Sequence, residues 1–430
     1  MKLRNLFLAG LAVCTMASCS KDDDANNGPK AEVDAQISFA TTTLMQQTKS
    51  SVEGSLAPAD TKTNETRVGT LTAYVFKKGG ALAARETITA EAGQTITEIK
   101  HITVKVTPGN TAAATTDDEF EMILVANGVT VNPSSLEDLK TKVLTNAIDA
   151  YIPGTSDLPM ISDKIEFTDL VPLVQDDGSM KENWVSNTGD VKTLLHNETT
   201  PAPDDNAYKA IVLTRMIARI QVDQLTIDIQ KNYKGAIFTL DTLALANVRP
   251  LATATDGVAD GSSKEYYKGY ESDNYVETTA DNKGWIYPGS PEMAILCKTY
   301  MNNQPSYGTT SGEGGATTFV ADFTADNNRE KQFVAYAFPN SEAGSYKTGL
   351  IISGKFQRYV GAPVELKHFR VIIDHLGAPK VVGNFIYKLK ITITGEGSKD
   401  ENHPELNAHV AATIEVADWK VIEQTEDDTN

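Results

Sequence analysis

Cysteine is nearly missing from this 430-residue chain, which holds only Cys14, Cys19 and Cys297. Cys14 falls in an N-terminal leader and Cys19 reads as the site of a lipid, so Cys297 stands alone. A disulfide framework and a cysteine-based metal site are therefore both excluded for the mature chain. Cys297 lies beside the apolar run Met293–Leu296 and reads as a buried, inert thiol. Histidine is also sparse: His101, His196, His368, His375, His403 and His409 are scattered, with none at the close spacing of a metal-ligand pair. Positive charge is in deficit, since 39 Lys and Arg face 57 Asp and Glu for a net charge of −18. That sign argues against nucleic acid as a partner. Phosphate-binding loops and nucleophile elbows are missing too, so neither an enzyme nor a cofactor is expected. Asp256 and Asp260 sit in a Gly-rich loop without EF-hand spacing. Trp184, Trp285, Tyr266, Tyr267, Tyr270 and Tyr275 read as core residues or loop anchors more than as a sugar-stacking platform.

What the chain has is β character. Hydrophobic residues make up 40% of it, enough for a sizeable core. Threonine, valine and isoleucine recur in short alternating runs, while long helical patterns are nearly absent, which points to an all-β fold. The length allows two or three domains.

The N-terminus reads as an address followed by an anchor. Met1–Arg4 is a short positive start, and Leu6 to Ala17 is an apolar run too short to span a bilayer stably. Small residues then lead to Cys19, the pattern of a lipoprotein signal in which residues 1–18 are removed and Cys19 is acylated, with palmitate as the expected chain. Ser20–Lys21–Asp22–Asp23–Asp24 resembles the surface-export signal of Bacteroidetes lipoproteins. Several acyl chains hold a protein almost permanently, since each buried methylene contributes about 0.8 kcal/mol. Release from the membrane then requires a cut downstream of Cys19.

A strand follows at Glu32–Thr43, with Val33, Ala35, Ile37 and Phe39 on one face. Gln46–Glu65 is polar and reads as an exposed linker, the kind of segment proteases cut. Lys49 is the favoured cleavage site, with Arg67 as the alternative and Lys62 a third. Further strands are expected at Val68–Phe76, Thr95–Val106 and Glu119–Ala126, and a Ser-capped helix from Pro133 to about Thr145. The polar stretch Pro201–Asn206 is the candidate boundary between domains at 50–206 and 207–430, after a propeptide at 19–49 (or to 67). Strands resume at Ile211–Ile229, Gln332–Phe338, Thr348–Gln357, Phe369–Ile373 and Asn384–Thr394. The last element, about 408–422, carries Val410, Ala412, Ile414 and Val416 on one face, then Trp419 and Val421, with a bend or bulge expected at Ala417–Asp418.

These features together resemble the Bacteroidales fimbrial subunits, the type V pilins typified by the major fimbrillin. The resemblance rests on the lipobox at Cys19, the strand Ala35–Phe39, Leu71–Phe76 and Glu121–Gly128 with its Val125–Ala126–Asn127 ending. It rests further on Arg215–Arg219, Tyr387–Gly395 and Val416–Trp419. It implies two tandem transthyretin-like β-sandwich domains and a structural role in fimbriae at the outer membrane, supporting adhesion and virulence. It also implies that a trypsin-like protease removes the first strand and that a C-terminal strand from a neighbouring subunit fills the groove. The expected partners are other subunits, most simply copies of this chain, the processing protease, and host or bacterial surface receptors. A tip or accessory adhesin of the same fold, and an anchored glycan-binding lipoprotein that never polymerises, are the other readings.

Overall fold

Alternation in the sequence becomes alternation in burial. The computed structural model describes residues 31–43, 64–107, 118–175, 178–186, 194–197, 210–229, 233, 236–254, 319–322, 333–341, 347–378, 380–399 and 409–419. Among them the chain is all-β, with one short helix and one 3-10 turn.

The first sheet has the order β3-β2-β5-β6-β10-β1-β8-β9, with β4 also on β1 and β7 also on β5. Its strands are β1 (Val33–Thr42), β2 (Thr70–Lys77), β3 (Leu82–Thr89), β4 (Glu98–Val106), β5 (Phe120–Ala126), β6 (Met160–Ser162), β7 (Ile165–Phe167), β8 (Glu182–Val185), β9 (Leu194–Asn197) and β10 (Ile211–Arg215). β10 follows residue 206 in sequence yet pairs with β1 and β6 in this first sheet. Two further sheets come from β11 (Ala218–Ile227), β12 (Ile237–Ala246), β13 (Phe319–Asp322), β14 (Val334–Ala337), β15 (Gly349–Gln357), β16 (Val364–Ile372), β17 (Phe385–Ile393) and β18 (Val410–Asp418). One has the order β13-β11-β17-β18 with β14 also on β11, and the other the order β12-β15-β16.

β5 reads Phe-Glu-Met-Ile-Leu-Val-Ala and every residue of it is buried. The reason is that both its faces are covered. Phe120, Met122 and Leu124 join Ala35, Ile37 and Phe39 in one core. Ile123 and Val125, with Tyr74 and Phe76 of β2, join a second core that continues through Leu240, Phe369 and Leu389. The single helix, α1 (Leu136–Thr141), covers that second face with Leu136 and Leu139. Ser135 caps it, its side chain accepting from Asp138 N. α1 is shorter than the sequence suggests because the chain then turns to pair elsewhere, Leu144 N donating to Ala252 O at 3.0 Å.

The Val-Ala-Asn ending of β5 has a clear physical purpose. Asn127 takes a left-handed φ of 54°. Its Oδ1 accepts from Gly69 N at 2.8 Å and Thr70 N at 3.1 Å. Its Nδ2 donates to Arg67 O at 2.7 Å and Leu158 O at 2.9 Å. One amide thus ties β5 to the entry of β2 and to the approach to β6. Gly128 must follow, since a Cβ there would meet Leu144 O at 2.6 Å.

Asn127→Ala leaves these backbone groups unsatisfied and is expected to destabilise the chain by about 2–3 kcal/mol. Thermal unfolding should show a Tm lower by about 5–10 °C. An unchanged Tm would contradict the tie.

Candidate strand-exchange interface

β1 is held on both edges. Along one edge β4 pairs with it antiparallel from Val33↔Val106 to Ala40↔Glu98. The register shifts between Ile37 and Phe39, where Lys100 and His101 oppose Ser38 as a bulge, and His101 has φ 63°. On the other edge β8 pairs parallel at Ile37↔Asn183 and Ser38↔Trp184, and β10 pairs parallel at Thr41↔Ile211 and Thr42↔Val212. Beyond β8, Leu173 N donates to Asp34 O at 2.7 Å. Asn183 Nδ2 donates to Gln36 O at 2.8 Å. Ala35, Ile37 and Phe39 are fully buried, with Val33 packed at the margin of the same core. Ser38, buried between Ile37 and Phe39, is satisfied: its hydroxyl donates to Glu182 and accepts from His101 N at 3.0 Å. Glu182 also accepts from the buried Trp184 indole at 3.1 Å, so Trp184 is a core residue, as expected.

β18 is seated differently. It pairs antiparallel with β17 along its full length, from Val410↔Ile393 to Asp418↔Phe385. Among the described residues its other edge carries no strand. Val410, Ile414 and Val416 are half-buried against the second core. Ala412 is exposed, which departs from the single apolar face expected. The bulge expected at Ala417–Asp418 is also absent, since pairing runs in unbroken register to Asp418. Trp419 points inward because the strand has ended there, with Trp419 N donating to Asn384 O at 3.1 Å.

Trp419 sits in a buried cluster that brings together four distant parts of the chain. Its ring stacks on Tyr336 at 6.0 Å and lies under the guanidiniums of Arg215 at 4.9 Å and Arg219 at 5.5 Å. Arg215 Nη1 donates to Trp419 O at 2.9 Å. The anion of the cluster is Glu65, fully buried. Its carboxylate takes Arg219 Nη1 at 2.7 Å and the Tyr336 hydroxyl at 2.7 Å, and its backbone carbonyl takes Arg215 Nε at 2.9 Å. Burial pulls Arg215 down to about 10, against the Glu65 charge, which pushes it up. Burial and the adjacent Glu65 anion both push the Tyr336 hydroxyl above its ordinary range, so it stays a neutral donor. Losing one partner of such a buried pair costs about 3–5 kcal/mol.

The end of the expected linker is thus not exposed. Glu65 is inside, and Arg67 just beyond it is half-buried and engaged. Arg67 Nη1 pairs with Asp157 at 3.0 Å, its Nε donates to Gln94 O at 3.0 Å, and its carbonyl accepts from Asn127. A protease needs extended, open backbone around the scissile bond, and Arg67 does not offer it.

Cys19, Lys49, Lys62, Cys297, Trp285, His403, Val421 and the loop residues Asp256 and Asp260 lie outside the described residues. Among the described residues, no three of His, Cys, Asp and Glu gather as metal ligands. Sequence reading missed Glu65, Tyr336 and Asn384. Trp419 and the two arginines of Arg215–Arg219 were the members of the cluster that the sequence had singled out.

Comparison with known proteins supports the resemblance. Residues 35–209 match the family model described as Major fimbrial subunit protein (FimA). A fimbrilin from Porphyromonas gingivalis has the same fold at a TM-score of 0.55 and 18% identity, covering 91% of this chain and 99% of that one. A Parabacteroides distasonis protein assigned to cell adhesion aligns at a TM-score of 0.54 and 16% identity, over 91% of this chain and 99% of its own. Among curated proteins none matches.

Phe39→Ala is expected to cost the uncut chain about 3–5 kcal/mol through the cavity it leaves. Urea denaturation checks this, and a loss below 1 kcal/mol would mean that β1 is only loosely seated.

Proposed function

We propose that this chain, similar to the major fimbrial subunits over residues 35–209 and to fimbrilins in fold, is a structural subunit of cell-surface fimbriae that polymerises by exchanging strands. The coarse part of this reading, a role in fimbrial structure or adhesion at the cell surface, is supported by the family match over residues 35–209. The lipid at Cys19, the cut, the exchange and any receptor are inferred.

One observation carries the proposal: the chain has two comparable strands in unequal seats. β1 occupies a slot that pairs both its edges and buries Ala35, Ile37 and Phe39 completely. β18 has one paired edge and leaves Val410, Ile414 and Val416 half-buried. If a cut upstream of residue 64 releases β1, the vacated slot exposes apolar side chains and two rows of unpaired backbone groups. A strand from a second copy that moves into the slot gains a second row of hydrogen bonds. It also completes the burial of several side chains, each contributing roughly 1.5–3 kcal/mol when fully buried. Lys49 remains the favoured site, and the engagement of Arg67 in the folded chain supports that choice.

Trypsin treatment of purified uncut chain should yield SDS-resistant ladders, and deletion of residues 417–430 should leave folded, trimmed monomers. Ladders of undiminished intensity from the truncated chain would overturn the donor assignment. A trimmed monomer from the full chain would favour an adhesin or a glycan-binding lipoprotein.

A further inference from the structure

β18, the strand that the proposal lends to a neighbour, is held at its end by a residue from the N-terminal part of the chain. We infer that Glu65 acts as a latch on the C-terminal strand: its buried carboxylate keeps Trp419, and with it β18, seated in the second sandwich.

The geometry carries this in three steps. Trp419 is buried although the strand leading to it is an exposed edge, so it sits deeper than any described side chain of β18. What surrounds Trp419 is two guanidiniums and a phenol, a socket of net positive charge. Glu65 is the carboxylate on the far side of that socket, taking both Arg219 and Tyr336, while its backbone carbonyl positions Arg215 to reach the Trp419 carbonyl. Remove that negative charge and two like charges, both almost fully buried, repel each other across the indole. Their cheapest relief is water, and water reaches them when Trp419 leaves. β17 stays paired on its other edge with β11, so the opening is confined to β18.

Glu65 also lies at a telling position relative to the basic residues. A cut after Lys49 or Lys62 leaves it on the body of the protein, and a cut after Arg67 carries it away. Where the chain is cut therefore decides whether the latch stays. The latch stands on the monomer's own contacts, while its use in lending a strand rests on the exchange reading.

Hydrogen exchange of the uncut full-length chain, read by mass spectrometry on separate segments, tests the latch without requiring polymerisation. Glu65→Gln should speed exchange across residues 410–419 at least tenfold, with β2, β5, β12 and β15 at wild-type rates. Equal rates at 410–419 in variant and wild type would overturn the inference. So would a uniform rise in all segments, which marks general destabilisation. Should Glu65→Gln fail to fold, Tyr336→Phe removes one hydrogen bond to the carboxylate and leaves the ion pair. A selective rise of about threefold at 410–419 is then expected, and no selective rise would overturn the inference. Ladder formation in the wild type is scored separately, so a failed latch and a failed exchange reading give different results.

Discussion

A strand bound along one edge can peel away, whereas a strand bound along both edges leaves a hole. β1 is of the second kind, flanked by β4 on one side and by β8 and β10 on the other, and much of the first sandwich is arranged around it. The pairing of β1 with β10 joins the strands on either side of it into one continuous sheet. Its buried apolar side chains Ala35, Ile37 and Phe39 meet residues of β2, β4 and β5 in a single core. The bulge at His101 and the Asn183 side chain serve the same end, since each satisfies a polar or backbone group of β1 that regular pairing leaves unmatched. Emptying this slot would leave both rows of backbone groups unpaired at once.

The two cores are not independent. β2 and β5 turn one set of side chains toward β1 and the alternate set toward the second core, where α1 and the later strands cover them. A change in the β1 slot is therefore felt by strands whose other faces belong to the C-terminal half. The Glu65 cluster makes a second connection, through charge instead of apolar packing, from the turn before β2 to the end of β18.

Much of this was legible in the sequence wherever period and environment agree. β1, β2, β4, β14, β15 and β17 each show strand composition or alternation, and each forms close to its expected bounds. β3 was not legible, because the burial of Leu82–Thr89 does not alternate and half of the strand is exposed. β12 was missed where a register shift between Leu240 and Thr242 breaks its alternation. β6, β7 and β8 are three or four residues long, too short to show a period. The Glu65 cluster was illegible for a different reason. An acid in a polar stretch reads as solvated, and its partners Arg219 and Tyr336 lie 154 and 271 residues away. Only the fold brings them together.

The hydrogen bonds of β1 lie across the strand on both of its sides, with an antiparallel neighbour on one and parallel neighbours on the other. Tension applied along the axis of any strand in that slot loads both rows in shear at once, with no free end from which to unzip them. A pull along that axis therefore meets more resistance than a peel from one edge.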